Sequence, residues 1–269
     1  MSAATEKLES AIHDLEVAPG TVGCVWLGQA GYLLKAPSGA MIMIDPYFSD
    51  WAEEQWGMKR VIDAPLDPAT FQPDVLLVSH WHEDHLDAPT VKQWARDGIE
   101  AVFIGPDTCS VRATAWGWNP DDVVTLTEFD EIEIEEIVIR PTFARHEVKN
   151  APPGDNFGFL IDVGGITIWY VGDTEYDARL RSLKDEAIDV ALIPINGVGG
   201  NLDAEEAAML IYKVAPRMAI PMHYNMWAPE TFGEGATLDP QLFTDTLTKL
   251  GGSAQVRLLE VGEIVSLPG

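Results

Sequence analysis

The segment 75–85 limits the architecture more than any other part of the chain. Val75, Leu76, Leu77 and Val78 form an unbroken apolar run that leads through Ser79 into His80-Trp81-His82-Glu83-Asp84-His85. A strand that is apolar on both faces is buried on both, so it needs neighbouring strands and covering layers on each side. Pro89 then opens a helix over 89–97, and Gly98 closes it. The histidine-rich hexapeptide therefore sits in the loop of a strand–helix unit.

The rest of the chain extends this pattern. A short amphipathic helix over 5–16, carrying Leu8, Ile12 and Leu15, precedes apolar runs at 22–27, 32–35 and 41–44. Turns at 28–31 and 37–39 separate these runs, which predicts an antiparallel meander. A strand at 101–104 and a helix at 107–116 follow the hexapeptide unit. Strands are expected at 131–139, 157–162 and 166–171. A second alternation comes next: helix 176–183, strand 189–194, helix 204–214, strand 217–221, helix 240–249 and strand 255–260. Asp203 is read as the N-cap ahead of the run AEEAAML. Meanders joined to βα units predict an α/β fold of two mixed sheets with helices outside. One domain is expected over 1–269, with residues 1–18 as a helical extension. The stretch 46–73 lacks periodicity, and an unstructured connection of that length points to a functional loop or lid.

Charge narrows the partners. Seventeen Lys and Arg face 43 Asp and Glu, a formal net charge of −26. A chain this acidic is repelled by nucleic acid and by anionic membrane surfaces, so neither is an expected partner. No apolar run approaches the roughly 18 residues that cross a bilayer, and residues 1–18 carry charges throughout. Cys24 and Cys109 lie outside any CxxC motif. These features point to a cytoplasmic protein. Assembly into a homo-oligomer stays open.

Five of the six histidines cluster at predicted strand ends: His80, His82, His85, His146 and His223. Only His13 lies elsewhere. Packing alone does not gather imidazoles this way, whereas metal sites need several that converge. Side chains alternate along a strand, so His80 and His82 can point the same way. The following turn can carry Asp84 and His85 to the opposite side of one cavity, where the hexapeptide can serve two ions.

The pattern His80-x-His82-x-Asp84-His85 resembles the signature of the metallo-β-lactamase-fold hydrolases, which implies a four-layer αββα sandwich. His146 in PTFARHEV, Asp173 in WYVGDTEY and His223 in AIPMHYN fall in that family's order. The resemblance implies one ion on His80, His82 and His146, and a second on Asp84, His85 and His223. It makes Asp173 the bridge and Asp45, in IMIDPYF, a partner that supports the ligands. It also implies two divalent cations, Mn2+ or Zn2+, with hydroxide between them as the nucleophile. Asp84 and Asp173 are the candidate catalytic carboxylates, with Asp84 moving a proton to the leaving group.

A narrower resemblance spans most of 17–228. The stretches TVGCVWLGQAGYLLK, FIGPDTCSVRATAWGW, LIPINGVGGNLDAEEAAML and HYNMW are similar to the L-ascorbate-6-phosphate lactonase branch. That similarity implies hydrolysis of a lactone or related ester on a small, anionic substrate. Arg145, Asn196 and Tyr224 are candidate substrate contacts. Arg145 belongs to a group of cations with Lys149, Arg179 and Arg181, which would grip an anion unless Glu147, Glu175 or Asp177 pairs with them. Asn196 can equally serve a turn. Tyr47, Trp51 and Trp227 are candidate cavity walls. A phosphodiesterase of the same fold is the main alternative. A redox di-iron relative would carry Glu at position 82, where this chain has His.

Overall fold

The computed structural model describes residues 2–147, 151–228, 231, 233 and 235–268. Its core is two seven-stranded sheets. In the first, β1 (Thr21–Gly28), β2 (Gly31–Lys35) and β3 (Met41–Ile44) form the expected meander. β4 (Val75–Leu77), β5 (Val102–Gly105) and β6 (Val123–Thr125) then add on in parallel. The second sheet repeats the plan. β7 (Ile132–Ile134), β8 (Ile137–Phe143), β9 (Phe157–Val163) and β10 (Ile166–Tyr170) run antiparallel in sequence. β11 (Val190–Pro194), β12 (Met218–Met222) and the short β13 (Gln255–Val256) continue in parallel.

Apolar residues from both sheets, among them Ile44, Leu77, Ile139, Ile161 and Tyr170, share one buried cluster. α5 (Ala204–Val214) and α6 (Gln241–Lys249) lie against the second sheet. The outer face of the first sheet is covered by Ile12 from α1 (Ala3–His13), Val91 and Trp94 from α3 (Ala88–Asp97), and Cys109 and Ala113 from α4 (Asp107–Ala115). Helices therefore flank a two-sheet sandwich, the α/β class expected from the sequence.

Local chemistry accounts for most boundaries. α3 has Pro89 in its first turn and ends at Gly98 with φ +72°, a conformation glycine adopts without strain. Asp203 caps α5 through a reciprocal box with Glu206. Three expectations change. The strand read over 131–139 is a hairpin, broken where Glu135 takes φ +52°; period-two alternation continues across such a turn and hides it. The helix expected at 176–183 is a 3-10 segment, Ala178–Asp185, capped by Asp177 and with Leu180 as its buried residue. The strand expected at 255–260 stops at Val256. The chain then returns as β14 (Ile264–Pro268), which pairs with β1 in the other sheet.

Within 46–73 the chain forms α2 (Trp51–Trp56). Tyr47, Ala52, Met226 and Trp227 make a small apolar cluster that ties this segment to the one following β12. The N-terminal helix is anchored by Lys35. Its buried ammonium donates to the carbonyls of Ile12 at 2.8 Å and His13 at 2.9 Å, at the negative end of the helix. Lys35→Met keeps the stem and removes the charge. It is expected to lower unfolding free energy by about 2 kcal/mol, within the range for hydrogen bonds from charged groups. Urea denaturation would check this; an unchanged midpoint would show that Ile12 and the Glu9 contacts with Asp67 and Thr70 hold the helix without the ammonium.

Candidate metal centre

The predicted ligands all lie at one end of the sandwich, beyond strand ends. Asp45 follows β3, His80 follows β4, His146 follows β8, Asp173 follows β10 and His223 follows β12. β3 and β4 are parallel, as are β10, β11 and β12. In sheets of this kind the carboxyl ends of strands form the binding crevice. Gly172, at φ +68°, turns the chain into Asp173 where a Cβ would lie 2.8 Å from the carbonyl oxygen of Phe157.

The donors form two groups. His80 Nε2 lies 2.9 Å from His82 Nδ1, and His146 Nε2 lies 3.1 Å from the same atom. In the second group His223 Nε2 is 3.3 Å from His85 Nε2, and Asp84 Oδ2 is 3.6 and 3.8 Å from those two nitrogens. Each trio has ligand atoms close enough to share one ion. Asp173 sits between them. Its Oδ2 is 3.3 Å from His85 Nε2 and 3.9 Å from His146 Nε2, and its Oδ1 is 3.2 Å from His223 Nε2. Donors bound at about 2.0–2.1 Å to a tetrahedral ion stand about 3.3 Å apart, so both trios fit a divalent cation. Asp173 Oδ1 is buried and receives no hydrogen bond, which leaves an oxygen for an ion.

Partners behind the ligands decide which ring nitrogen faces inward. Asp45 Oδ2 lies 2.7 Å from His85 Nδ1, leaving Nε2 free. Asp45 also accepts from the Ser79 backbone at 2.7 Å, from the Ser79 hydroxyl and from Tyr170 Oη at 2.6 Å. Asp45, His80 and His85 are also close enough to form a third trio. With four donors already on Asp45, it serves His85 better as a partner than an ion as a ligand. His146 Nδ1 lies 3.2 Å from the Gly200 carbonyl and His80 Nδ1 lies 3.0 Å from Ser79 Oγ.

The two groups differ in charge. Burial, reinforced by the imidazoles of His85, His82 and His146, holds His80 well below the usual imidazole range. Burial, opposed by Asp84 and reinforced by His146 and His85, pushes His82 down to about 4. His85 and His223 go the other way. Burial opposes their protonation, but Asp173 and Asp84 outweigh it, and both are raised. Asp173 is correspondingly held low: burial opposes its charge, and His223 and His85 overcome that.

The expected substrate contacts are placed differently. Arg145 lines a cavity of about 820 Å³ beside His146, together with Phe143, Pro152 and Arg179. Its guanidinium is paired with Glu175 at 3.1 Å, and Arg179 is paired with Asp177 at 2.8 Å. Lys149 lies outside the described residues. Asn196 spends its amide on the Val198 carbonyl of its own turn at 3.1 Å. Tyr224 is buried against Trp26, ring centroids 5.1 Å apart. Two site residues went unread in the sequence. Gln29 Nε2 donates to Asp84 Oδ2 at 2.7 Å, and Asn201 Nδ2 donates to Asp173 Oδ2 at 2.7 Å. The ring of Trp56 stands edge-on to His82 at 5.7 Å.

Comparison with known proteins identifies the family. Residues 24–223 match the β-lactamase superfamily domain. A UPF0173 metal-dependent hydrolase of Polynucleobacter asymbioticus is 31% identical over 222 residues, covering 77% of this chain and 76% of that protein. Igni18, a metallo hydrolase of the archaeon Ignicoccus hospitalis, superposes with a TM-score of 0.70 at 25% identity, covering 91% of this chain and 98% of that one. The metallo-β-lactamase fold protein YhfI of Bacillus subtilis shares the fold, with a TM-score of 0.67 at 14% identity over 92% of this chain and 99% of that one. The chain belongs to the β-lactamase superfamily, within its UPF0173 metal-dependent hydrolases. Among the described residues no helix is long and apolar enough to cross a membrane.

The charge difference predicts unequal proton release. Near pH 7, cation uptake by Asp84, His85 and His223 must expel protons, whereas His80 and His82 are already neutral. Affinity at the first of these groups is expected to rise with pH through neutrality. Calorimetric titration of the metal-free protein in buffers of different ionisation enthalpy would measure it. Equal heats in all buffers would contradict the assignment of charge.

Proposed function

We propose that the protein hydrolyses lactones or closely related esters at a centre of two divalent ions, Mn2+ or Zn2+. The observation that carries this reading is the pair of three-donor groups sharing Asp173. Two ions held there supply Lewis acidity and lower the pKa of water.

The chain's own residues support water as the nucleophile. Both cysteines are buried, and burial pushes the Cys24 thiol up to about 12. A thiolate route is therefore closed. Asp173 fixes the spacing between the donor groups. Asp84, nearly buried and between His85 and His223, is placed to take and return a proton. His85 is held in one orientation by Asp45, so its reactive face does not wander.

The cavity beside His146 refines the substrate. Arg145 and Arg179 already face carboxylates, so the described lining offers no unpaired guanidinium for a phosphate. That favours an uncharged or singly charged lactone over one like L-ascorbate 6-phosphate. A phosphodiesterase is the alternative outcome, because the same two donor groups would serve that reaction.

The test is acid release from a panel of γ- and δ-lactones and L-ascorbate 6-phosphate by protein loaded with Mn2+ or with Zn2+. Turnover of a simple lactone that falls by about 100-fold or more in Asp173→Ala is expected. Silence on all lactones with cleavage of a bis-aryl phosphate would replace the lactonase reading. Arg145→Ala is expected to leave KM for the simple lactone unchanged. A marked rise for the phosphorylated substrate alone would give Arg145 back the role of anchor.

A further inference from the structure

Two carboxamides outside the ligand set hold the two carboxylates that the ions would share or contact. Gln29 is fully buried just beyond β1, and its only side-chain donation to a carboxylate is the 2.7 Å bond to Asp84 Oδ2. Among the described residues, it is the one hydrogen bond Asp84 receives. Asp84 is otherwise 3.6 Å or more from His85 and His223, so without Gln29 nothing fixes the plane of its carboxylate. Asn201 does the same for Asp173. Each amide leaves its own carbonyl oxygen buried without a partner. Asn196 shares that feature but spends its amide on its own turn, whereas Gln29 and Asn201 each point theirs at a site carboxylate.

The backbone of Gln29 strengthens the case. It sits at φ +52°, a left-handed conformation in which Gly or Asn is the easier residue. Neither Gly nor Asn has the length to make this contact. Its carbonyl accepts from Trp26 Nε1 at 3.0 Å and from the His223 backbone at 2.9 Å. The main chain of residue 29 therefore seats His223, and its side-chain amide lies 2.7 Å from Asp84 Oδ2 and 3.3 Å from His223 Nδ1. These are two of the three members of one donor group. Gln29 makes no hydrogen bond to His80, His82 or His146.

We infer that Gln29 is a positioning residue selective for the ion of the Asp84, His85 and His223 group. It acts by presenting Asp84, not by touching the cation. The inference rests on the two-ion reading of the site. Substituting the side chain removes the amide while the carbonyl that seats His223 stays in place. Asn201 acts on Asp173, which both groups share, so its loss should not discriminate between them.

The test is titration of Zn2+ alone into the metal-free full chain, in competition with a chelating indicator. The wild type is expected to take up two ions. Gln29→Met and Gln29→Ala should keep one ion at wild-type affinity and bind the other about 10–100-fold more weakly, the usual effect of losing a residue that orients a ligand. Asn201→Ala should weaken both. Two ions in the wild type, with both affinities in both Gln29 variants within about threefold of it, overturns the inference and leaves the two-ion reading standing. A wild type that takes up only one ion overturns both. Loss of cooperative thermal unfolding in both Gln29 variants assigns the residue to the fold and overturns the inference as well.

Discussion

One buried carboxylate ties the two halves of this molecule together. Asp45 leaves the end of β3 in the first sheet and accepts from Ser79 at the end of β4 in the same sheet. It also accepts from Tyr170, the last residue of β10 in the second. Its remaining bond orients His85. Burial, and then Asp45 itself, pushes Tyr170 well above the usual phenol range, so the hydroxyl stays a donor. An uncompensated carboxylate at this depth would be costly. Four donors offset that cost, and the one from Tyr170 is available only when the sheets meet in one register. The same register brings the ligand loops together.

Backbone conformation follows from the same need. Gln29, Asp45 and His223 each follow the last residue of a strand, and each has a positive φ, at +52°, +43° and +63°. Non-glycine residues rarely adopt this region, and such strain gathers at functional sites. Here its effect is to bend the chain sharply at the sheet edge, so that the side chain turns into the crevice instead of continuing along the strand. Catalytic geometry and local stability are in tension at these three positions, and the apolar sandwich behind them carries the difference.

The strands were legible because full burial writes itself as unbroken apolar runs, as at Val75–Leu77 and in the Val190–Ala191–Leu192 stretch. The candidate ligands stand out because imidazole is scarce here and five of six occur after such runs. What escaped notice has physical causes. Gln29 lies between Gly28 and Gly31, where the glycines signal a turn and mask a side chain with a second task. Asn196 and Asn201 occupy one loop and have the same chemistry. Sequence favoured Asn196, but the loop's return puts Asn201 beside Asp173. For Arg145 the sequence leaves both an anion contact and pairing with Glu147, Glu175 or Asp177 open, and the fold brings Glu175 against it. β14 went unread because its partner β1 lies at the other end of the sequence.

The chemistry of this site depends on the donors around Asp173 forming two ion sites and not one. Anomalous diffraction from crystals of the full chain grown with Zn2+ tests it most directly. Two peaks about 3.5–4 Å apart are expected, one among His80, His82 and His146 and the other among Asp84, His85 and His223. A single peak, or an ion drawn to Asp45 in place of Asp173, would contradict it.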